Sequence, residues 1–307
     1  MQGRLGQQIW QNGHLVPQAQ ATCHVLSHAL HYGSAVFEGI RAYKTPTGLC
    51  AFQLQAHIAR LLASARIYRM KVPYDAVQIA DACRQVARAS GFESVYLRPL
   101  VYRGLGELGV VPKDVDCEVA IAGLAWGSYL GQRGVDEGVD VCVSSWNRVA
   151  PNTIPTLAKA AGNYLSSQLI AMEAKRLGFD EAIALDTRGL VSEGPGENLF
   201  VVERGQLITP PVTAAILPGI TRDSLIELAR ADGITVVERD IGRDSLYLAD
   251  ELLFCGTAAE ITPIRSVDRL EIGGGRPGPL TRRLQELFFG LFSGSTPDHH
   301  RWLTPLQ

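Results

Sequence analysis

A reaction that needs a primary amine has few candidates in this sequence. Of 29 basic residues among 307, only five are lysines. Lys44 falls in a predicted hairpin turn and Lys71 at a helix end before Val-Pro. Lys113 follows a proline in a loop, and Lys175 lies on the charged face of EAKRLG. These four read as solvated surface charge. Lys159 sits in TLAKAAGNY, where the neighbours are small or apolar and none is charged. Burial there would disfavour the ammonium, lower its pKa and leave a nucleophilic amine. An isolated interior lysine more often snorkels to the surface, so the assignment depends on what else the chain offers.

Pyridoxal 5'-phosphate chemistry needs such a lysine. It also needs an acid facing the pyridine nitrogen, a donor to the ring oxygen and a phosphate cup. Tyr164, shortly after Lys159, is a candidate donor or else a packed aromatic. SEGPGENLF sets Glu193 and Glu197 among glycines; either could serve the pyridine nitrogen, and either could be a turn charge. Leu-Pro-Gly-Ile-Thr places the amides of Gly219, Ile220 and Thr221 at a helix start, which suits a phosphate dianion. Ordinary helix caps look the same. Gly256-Thr257-Ala258 offers a second turn of amides and a hydroxyl. Arg60, on the polar side of its helix, could complete the phosphate charge balance or remain a surface arginine.

Other constellations are weaker. Gly104-x-Gly106-x-x-Gly109 has the letters of a dinucleotide fingerprint, but VVPKDVD follows it. That stretch does not offer the helix on which a pyrophosphate would sit, so a flexible glycine loop is expected. A dehydrogenase is thereby a rival of another class. His24, His28 and His31 have helical metal-ligand spacing but no matching cysteine or carboxylate cluster. Buried or hydrogen-bonded histidines are expected, and no metal. The six cysteines are scattered without a C-x-x-C pair and read as reduced thiols. A net charge of −2 without a long basic run argues against nucleic acid or an anionic membrane as partner. No apolar stretch approaches the ~20 residues of a bilayer span. The opening MQGRLGQQIWQNG lacks an apolar signal region, so a cytoplasmic protein is expected.

The elements that must position these residues are dominated by hairpins. IWQNGHLV, with Asn-Gly at its centre, predicts a hairpin. AVFEGIRAYK, the turn TPTG and LCAFQL predict a second. Ile58, Leu61, Leu62, Ala65 and Tyr68 recur at helical spacing between His57 and Met70. Asp75 with Gln78 predicts a capping box for a helix ending at Gly91. SVYLRPLVYRG and CEVAIAGLAW read as strands. After the turn-rich WGSYLGQRG come a strand in VDVCVSSW, a helix from about Ala160 to Arg176, and hairpins in EAIALDTRGLVSEG and NLFVVERGQLITP. A helix then follows LPGITRDS, a strand and turn occupy ELLFCGTAAE, and Leu280, Leu284, Leu287, Phe288 and Leu291 mark a final amphipathic helix. Composition predicts a well-packed chain, length predicts two domains or one large one, and the strands and two helices of the N-terminal part give an α+β pattern. The expected division is a small N-terminal domain at 1–126, a loop at 127–134 and a larger cofactor-binding domain at 135–307 with a hairpin-rich, barrel-like core.

Seven segments together resemble the class IV (fold type IV) pyridoxal-phosphate aminotransferases, and within them the bacterial branched-chain amino acid aminotransferases. They are HYGSAVFEGIRAY, HIARLLASARIYR, YLRPL, SSWNRVAPNTIPTLAKAAGNYLSS, SEGPGENLF, LPGITRDS and CGTAAEITPIRSVD, in family order. The resemblance implies transfer of the amino group of L-leucine, L-isoleucine or L-valine to 2-oxoglutarate. It makes Lys159 the covalent anchor and proton shuttle, Glu193 the partner of the pyridine nitrogen and Tyr164 that of the ring oxygen. Arg60, Ile220, Thr221 and Thr257 would hold the phosphate. Tyr96, Thr257 and the Ala258 amide would bind the α-carboxylate, and Arg98 the distal carboxylate of glutamate or 2-oxoglutarate. Phe37, Trp126, Tyr129 and Tyr164 would wall the side-chain pocket, with Tyr32 and Val110 reaching in from a neighbouring subunit. Asn198 and Arg41 would support these groups. A homodimer would be the minimal active unit, and a homohexamer built from dimers is suggested. The loop GLGELGVV departs from the family pattern in glycine placement, which puts the fine shape of the pocket in question. D-amino acid aminotransferases, amine transaminases and aminodeoxychorismate lyases share the Lys and Glu segments and stay open as alternatives, as does a non-catalytic cofactor carrier.

Overall fold

A computed structural model describes residues 3–306. The chain divides into two compact units. The first holds the residues up to Trp126, Ala158–Gly162 and the residues from Phe292 onward; the second holds Gly127–Leu157 and Asn163–Leu291. The Lys159 segment and the C-terminal end thus group with the first unit rather than with their sequence neighbours.

The first unit contains strands β1 (Arg4–Leu5), β2 (Gln8–Gln11), β3 (His14–Pro17), β4 (Ala35–Phe37), β5 (Ile40–Thr45), β6 (Gly48–Phe52), β7 (Val95–Arg103) and β8 (Cys117–Ala125). Its helices are α1 (His28–Tyr32), α2 (Leu54–Ile67) and α3 (Ala76–Ser90). β2 and β3 form the expected hairpin, with φ of 47° at Asn12 and 101° at Gly13. Positive φ at both positions is what a two-residue hairpin connection of this twist requires. β5 and β6 form the second hairpin, closed at Thr45↔Gly48. α3 starts at a capping box in which Asp75 accepts from the Gln78 amide at 2.8 Å and Gln78 answers at 2.9 Å; it stops at Gly91. α2 begins three residues earlier than the apolar spacing suggests. β4 and β5 run antiparallel to β7 on either side of a break at Glu38-Gly39. One face of this sheet contributes Ile40, Ala42, Leu97, Val101 and Ile121 to a core that also takes Ile58, Leu61, Ile79 and Val86 from α2 and α3.

The second unit contains α4 (Gly131–Glu137), β9 (Val139–Val143), α5 (Tyr164–Arg176), β10 (Glu181–Ile183), β11 (Asn198–Glu203), β12 (Gln206–Thr209), α6 (Ile220–Ala231), β13 (Val236–Glu238), α7 (Ser245–Leu248), β14 (Glu251–Gly256), β15 (Glu260–Val267) and β16 (Leu270–Glu271). α8 (Pro279–Ser293) follows. The sheet order is β10-β9-β15-β14-β11-β12-β13, with β16 on β15. Asn198–Val202 of β11 is buried on both faces, so it reads as a near-continuous apolar run rather than an alternating one. The turn-rich stretch at 127–134 is helical from Gly131. The single helix expected from Ala160 is a 3₁₀ turn at Ala161–Asn163 followed by α5.

The C-terminal end forms β17 (Leu303–Pro305), which pairs with β6 as an outer strand of the first sheet. Phe292 stacks on Tyr43 with ring centroids 3.6 Å apart. Among the described residues, no helix is long and apolar enough to cross a membrane.

Candidate active site

In the first unit, the β7 face opposite the core carries the chemistry. Tyr96 and Arg98 are two residues apart and share that face. Arg41 lies directly across from Tyr96, and Phe37 across from Leu100, which places both on the same side. Tyr96 is buried, and its hydroxyl fills the space over Gly39. A Cβ on Gly39 would lie 1.8 Å from that oxygen, so only glycine fits there. Trp126 meets Tyr96 edge to face at 4.8 Å, and its carbonyl accepts from Arg41 Nη1 at 3.2 Å. The Arg98 guanidinium stands 4.8 Å from the Phe37 ring centroid and 5.3 Å from that of Tyr96. Among the described residues it makes no hydrogen bond or ion pair.

Lys159 belongs to the same unit. Its peptide is clamped on both sides: its N–H donates to Ser64 Oγ at 3.0 Å, and its carbonyl accepts from the Phe37 N–H at 3.0 Å. Ala160 bridges to Val36, and Ala158 and Ala160 are buried. The half-buried Lys159 Nζ lies 5.1 Å from the Phe37 centroid. The other lysines behave as surface charge. Lys44 pairs with Glu93 at 2.8 Å, Lys175 donates to the Asp180 carbonyl, and Lys71 and Lys113 are exposed.

Arg60 is not the loose surface cation that its sequence context allowed. Its Nε and Nη2 donate to Glu38 Oε1 and Oε2 at 2.6 and 2.9 Å, and His57 Nδ1 lies 2.7 Å from Glu38 Oε2. Burial alone would raise the Glu38 pKa, but the Arg60 and His57 contacts hold the carboxylate well below its usual range. Sequence reasoning missed Glu38 and His57. The only signal was an acid inside an otherwise apolar strand.

Tyr32 and Val110 stand exposed elsewhere on this unit. His28 links their segments by packing its ring at a tilt against Tyr32, accepting from Ser34 Oγ at 2.7 Å and donating to the Gly109 carbonyl at 2.9 Å. His24 accepts from the Leu26 amide, and His31 donates to the Val25 carbonyl. No helix follows Gly109, so the glycine loop lacks the dinucleotide context.

In the second unit, the two glutamates of SEGPGEN differ sharply. Glu193 is buried and ion-paired to Arg148 Nη2 at 2.8 Å. Its Oε2 accepts from Asn198 Nδ2 and from the Leu217 amide, each at 3.0 Å. Glu197 folds back onto its own turn, with Oε2 accepting from the Gly196 amide at 3.0 Å. Glu193 is thus built into a network spanning several segments, and Glu197, buried as well, turns one oxygen onto its own turn. Arg148, also held by Ser167 Oγ at 3.2 Å, was not anticipated from the sequence.

Asn198 Nδ2 also donates to the Leu217 carbonyl at 2.9 Å, and Asn198 Oδ1 presses on Gly219. A Cβ on Gly219 would lie 1.8 Å from it. Gly219 is the N-cap of α6 and supplies no side-chain cap. The Ile220 and Thr221 amides therefore open a helix whose dipole favours an anion. Thr257 and Ala258 form the half-exposed turn between β14 and β15, and the Ala258 carbonyl accepts from the Tyr129 amide at 3.0 Å. Tyr164 opens α5. Beside Tyr129, Glu181 is fully buried; burial pushes its carboxyl up to about 7, and its Oε2 lacks a partner among the described residues.

The sequence pattern described as Amino-transferase class IV matches residues 35–267. The branched-chain-amino-acid aminotransferase of Salmonella typhimurium is 53% identical over 97% of each chain. The crystal structure of the Escherichia coli branched-chain amino acid aminotransferase superposes with a TM-score of 0.97 at 52% identity, covering 98% of this chain and 100% of that one. The branched-chain amino acid aminotransferase of Thermobaculum terrenum, in its PLP (holo) form, superposes with a TM-score of 0.92 at 37% identity, covering 99% of each chain. By pattern, sequence and fold together, the chain belongs to the class IV aminotransferases.

Proposed function

We propose that this chain transfers the amino group of L-leucine, L-isoleucine or L-valine to 2-oxoglutarate with pyridoxal 5'-phosphate as cofactor. The minimal active unit in this reading is a cytoplasmic homodimer. The observation that carries the proposal is the β7 face. An arginine without an ion-pair partner among the described residues stands over Phe37 and Tyr96, and the Lys159 amine approaches the same Phe37 ring. An apolar wall with one cation at its edge suits a pocket that must accept both an aliphatic side chain and a second carboxylate.

The residues present fit the cofactor. The uncapped start of α6, kept open by glycine, suits a phosphate dianion. A buried, oriented carboxylate at Glu193 suits a protonated pyridine nitrogen. When bound, the cofactor supplies an aldehyde to receive the amino group and a ring that delocalises the charge left at the substrate Cα. Lys159 Nζ would anchor that aldehyde and, once displaced by the substrate amine, would move the proton between the substrate Cα and the carbon that had carried the aldehyde. Glu193, held in place by Arg148, Asn198 and the Leu217 amide, keeps a proton on the ring nitrogen. Tyr164 donates to the ring oxygen. Arg60, Ile220, Thr221, Gly256 and Thr257 hold the phosphate. Tyr96, Thr257 and the Ala258 amide bind the α-carboxylate, while Arg98 takes the distal carboxylate. Phe37, Trp126, Tyr129 and Tyr164 exclude water around the side chain, joined by Tyr32 and Val110 of a second copy.

The visible spectrum tests the proposal. The purified protein should be yellow, L-leucine should bleach the band, and 2-oxoglutarate should restore it. A colourless protein that takes up no pyridoxal 5'-phosphate, or equal bleaching by D-leucine, would overturn it.

A further inference from the structure

Glu38 occupies the break between β4 and β5, where its N–H donates to the Pro99 carbonyl at 2.8 Å. Its side chain enters the core side of the unit and meets one face of α2. His57, Arg60 and Ser64 are three and four residues apart, so they line that face. Arg60 gives Glu38 two charge-assisted bonds, which fix the plane of the guanidinium. Ser64 accepts from the backbone N–H of Lys159 at 3.0 Å. The helix face that grips the carboxylate therefore also anchors the peptide that carries the amine.

His57 sharpens the picture. Burial first, with Arg60 and Lys159 adding to it, lowers its pKa against the opposing pull of Glu38, which favours the neutral ring. A carboxylate only accepts, so Nδ1 carries the proton that Glu38 receives at 2.7 Å. Nε2 is then a buried acceptor, and it has no hydrogen-bond partner among the described residues. Among the described residues, Arg60 is the one arginine or lysine bonded to Glu38. A surface arginine would need neither a buried counter-charge nor a buried histidine bracing it from the other side, and an orphaned ring nitrogen is a real cost.

We propose that Glu38, braced by His57, is a positioning residue that locks the Arg60 guanidinium and thereby sets how strongly the phosphate of the cofactor is held. The proposal rests on the assignment of Arg60 to that phosphate. A purely structural Glu38 would affect folding alone. A positioning Glu38 affects the preference for pyridoxal 5'-phosphate over pyridoxal, which has the same aldehyde and ring without the phosphate.

Dissociation constants for both compounds, read from the visible absorbance on reconstitution, should be measured for wild type, Glu38→Gln, Arg60→Met and the double variant. Wild type should prefer the phosphorylated form strongly. Glu38→Gln should shrink that preference about tenfold or more, the scale of one misplaced charge-assisted contact. Once Arg60 is methionine, adding Glu38→Gln should change the preference no further. An unchanged or increased preference in Glu38→Gln, even with lower thermal stability, would overturn the proposal. Should Glu38→Gln alone fail to fold, the double variant buries neither charge, and its comparison with Arg60→Met decides; a further fall in preference would then overturn it. If Arg60→Met keeps the wild-type preference, the assignment of Arg60 fails, and the proposal fails with it for that separate reason.

Discussion

Replacing Arg98 by methionine should separate the two halves of the reaction. The guanidinium rests over two rings, at 4.8 and 5.3 Å, and has no hydrogen bond or ion pair among the described residues. Removing it leaves no buried carboxylate unpaired, so the protein loses only two cation–π contacts, or ~1–2 kcal/mol. The methionine keeps most of the aliphatic stem in place. A charge-assisted bond from arginine to the distal carboxylate of 2-oxoglutarate contributes ~1.5–3 kcal/mol. At ~1.4 kcal/mol per decade, kcat/KM for 2-oxoglutarate should fall about 10- to 150-fold. Leucine has no second carboxylate, and its half-reaction should change far less or improve, because an apolar wall replaces a charge. Single-turnover stopped-flow traces of each half-reaction make the comparison directly. Equal losses in both would refute the assignment and leave Arg98 as a brace for β7.

Lys159→Ala should retain some cofactor but lose the leucine half-reaction by several orders of magnitude, measured by single turnover; a fully active variant would end the assignment. Glu193→Gln should slow the chemical step on the order of 10²-fold. It should also destabilise the fold by ~3–5 kcal/mol in denaturant titrations, because it strands the buried Arg148. Glu197→Gln, which breaks neither the Arg148 ion pair nor the Leu217 bond, should be milder on activity; the reverse ranking would show that the wrong carboxylate had been chosen. Glu181 should make stability fall as pH rises. Between the usual 4.5 and about 7, the folded chain keeps a proton that the unfolded chain releases. That interval corresponds to ~3 kcal/mol. Glu181→Gln should flatten the decline in urea titrations from pH 5 to 8, and parallel slopes in the two proteins would refute the cause.

Local features were legible in the chain itself. Asn12-Gly13 specified a hairpin because few other pairs tolerate positive φ at both positions. Asp75 and Gln78 specified a helix start because their side chains reach only neighbouring amides. Lys159 stood out because lysines are scarce and its neighbours are small, and seven ordered segments identified the family. Tertiary structure decided what distant residues do to one another. Glu193 and Glu197 are indistinguishable as letters among glycines. Folding brings Arg148, Asn198 and Leu217 to the first and turns an oxygen of the second onto the Gly196 amide. Arg60 read as an ordinary polar-face arginine until the break after β4 delivered Glu38 to it. The end of the chain carried no readable pattern, yet it supplies β17, because a strand this short is defined by the β6 edge it pairs with rather than by its own residues. Ion pairs and strand pairing depend on where backbones pass in space, and only the folded chain specifies that.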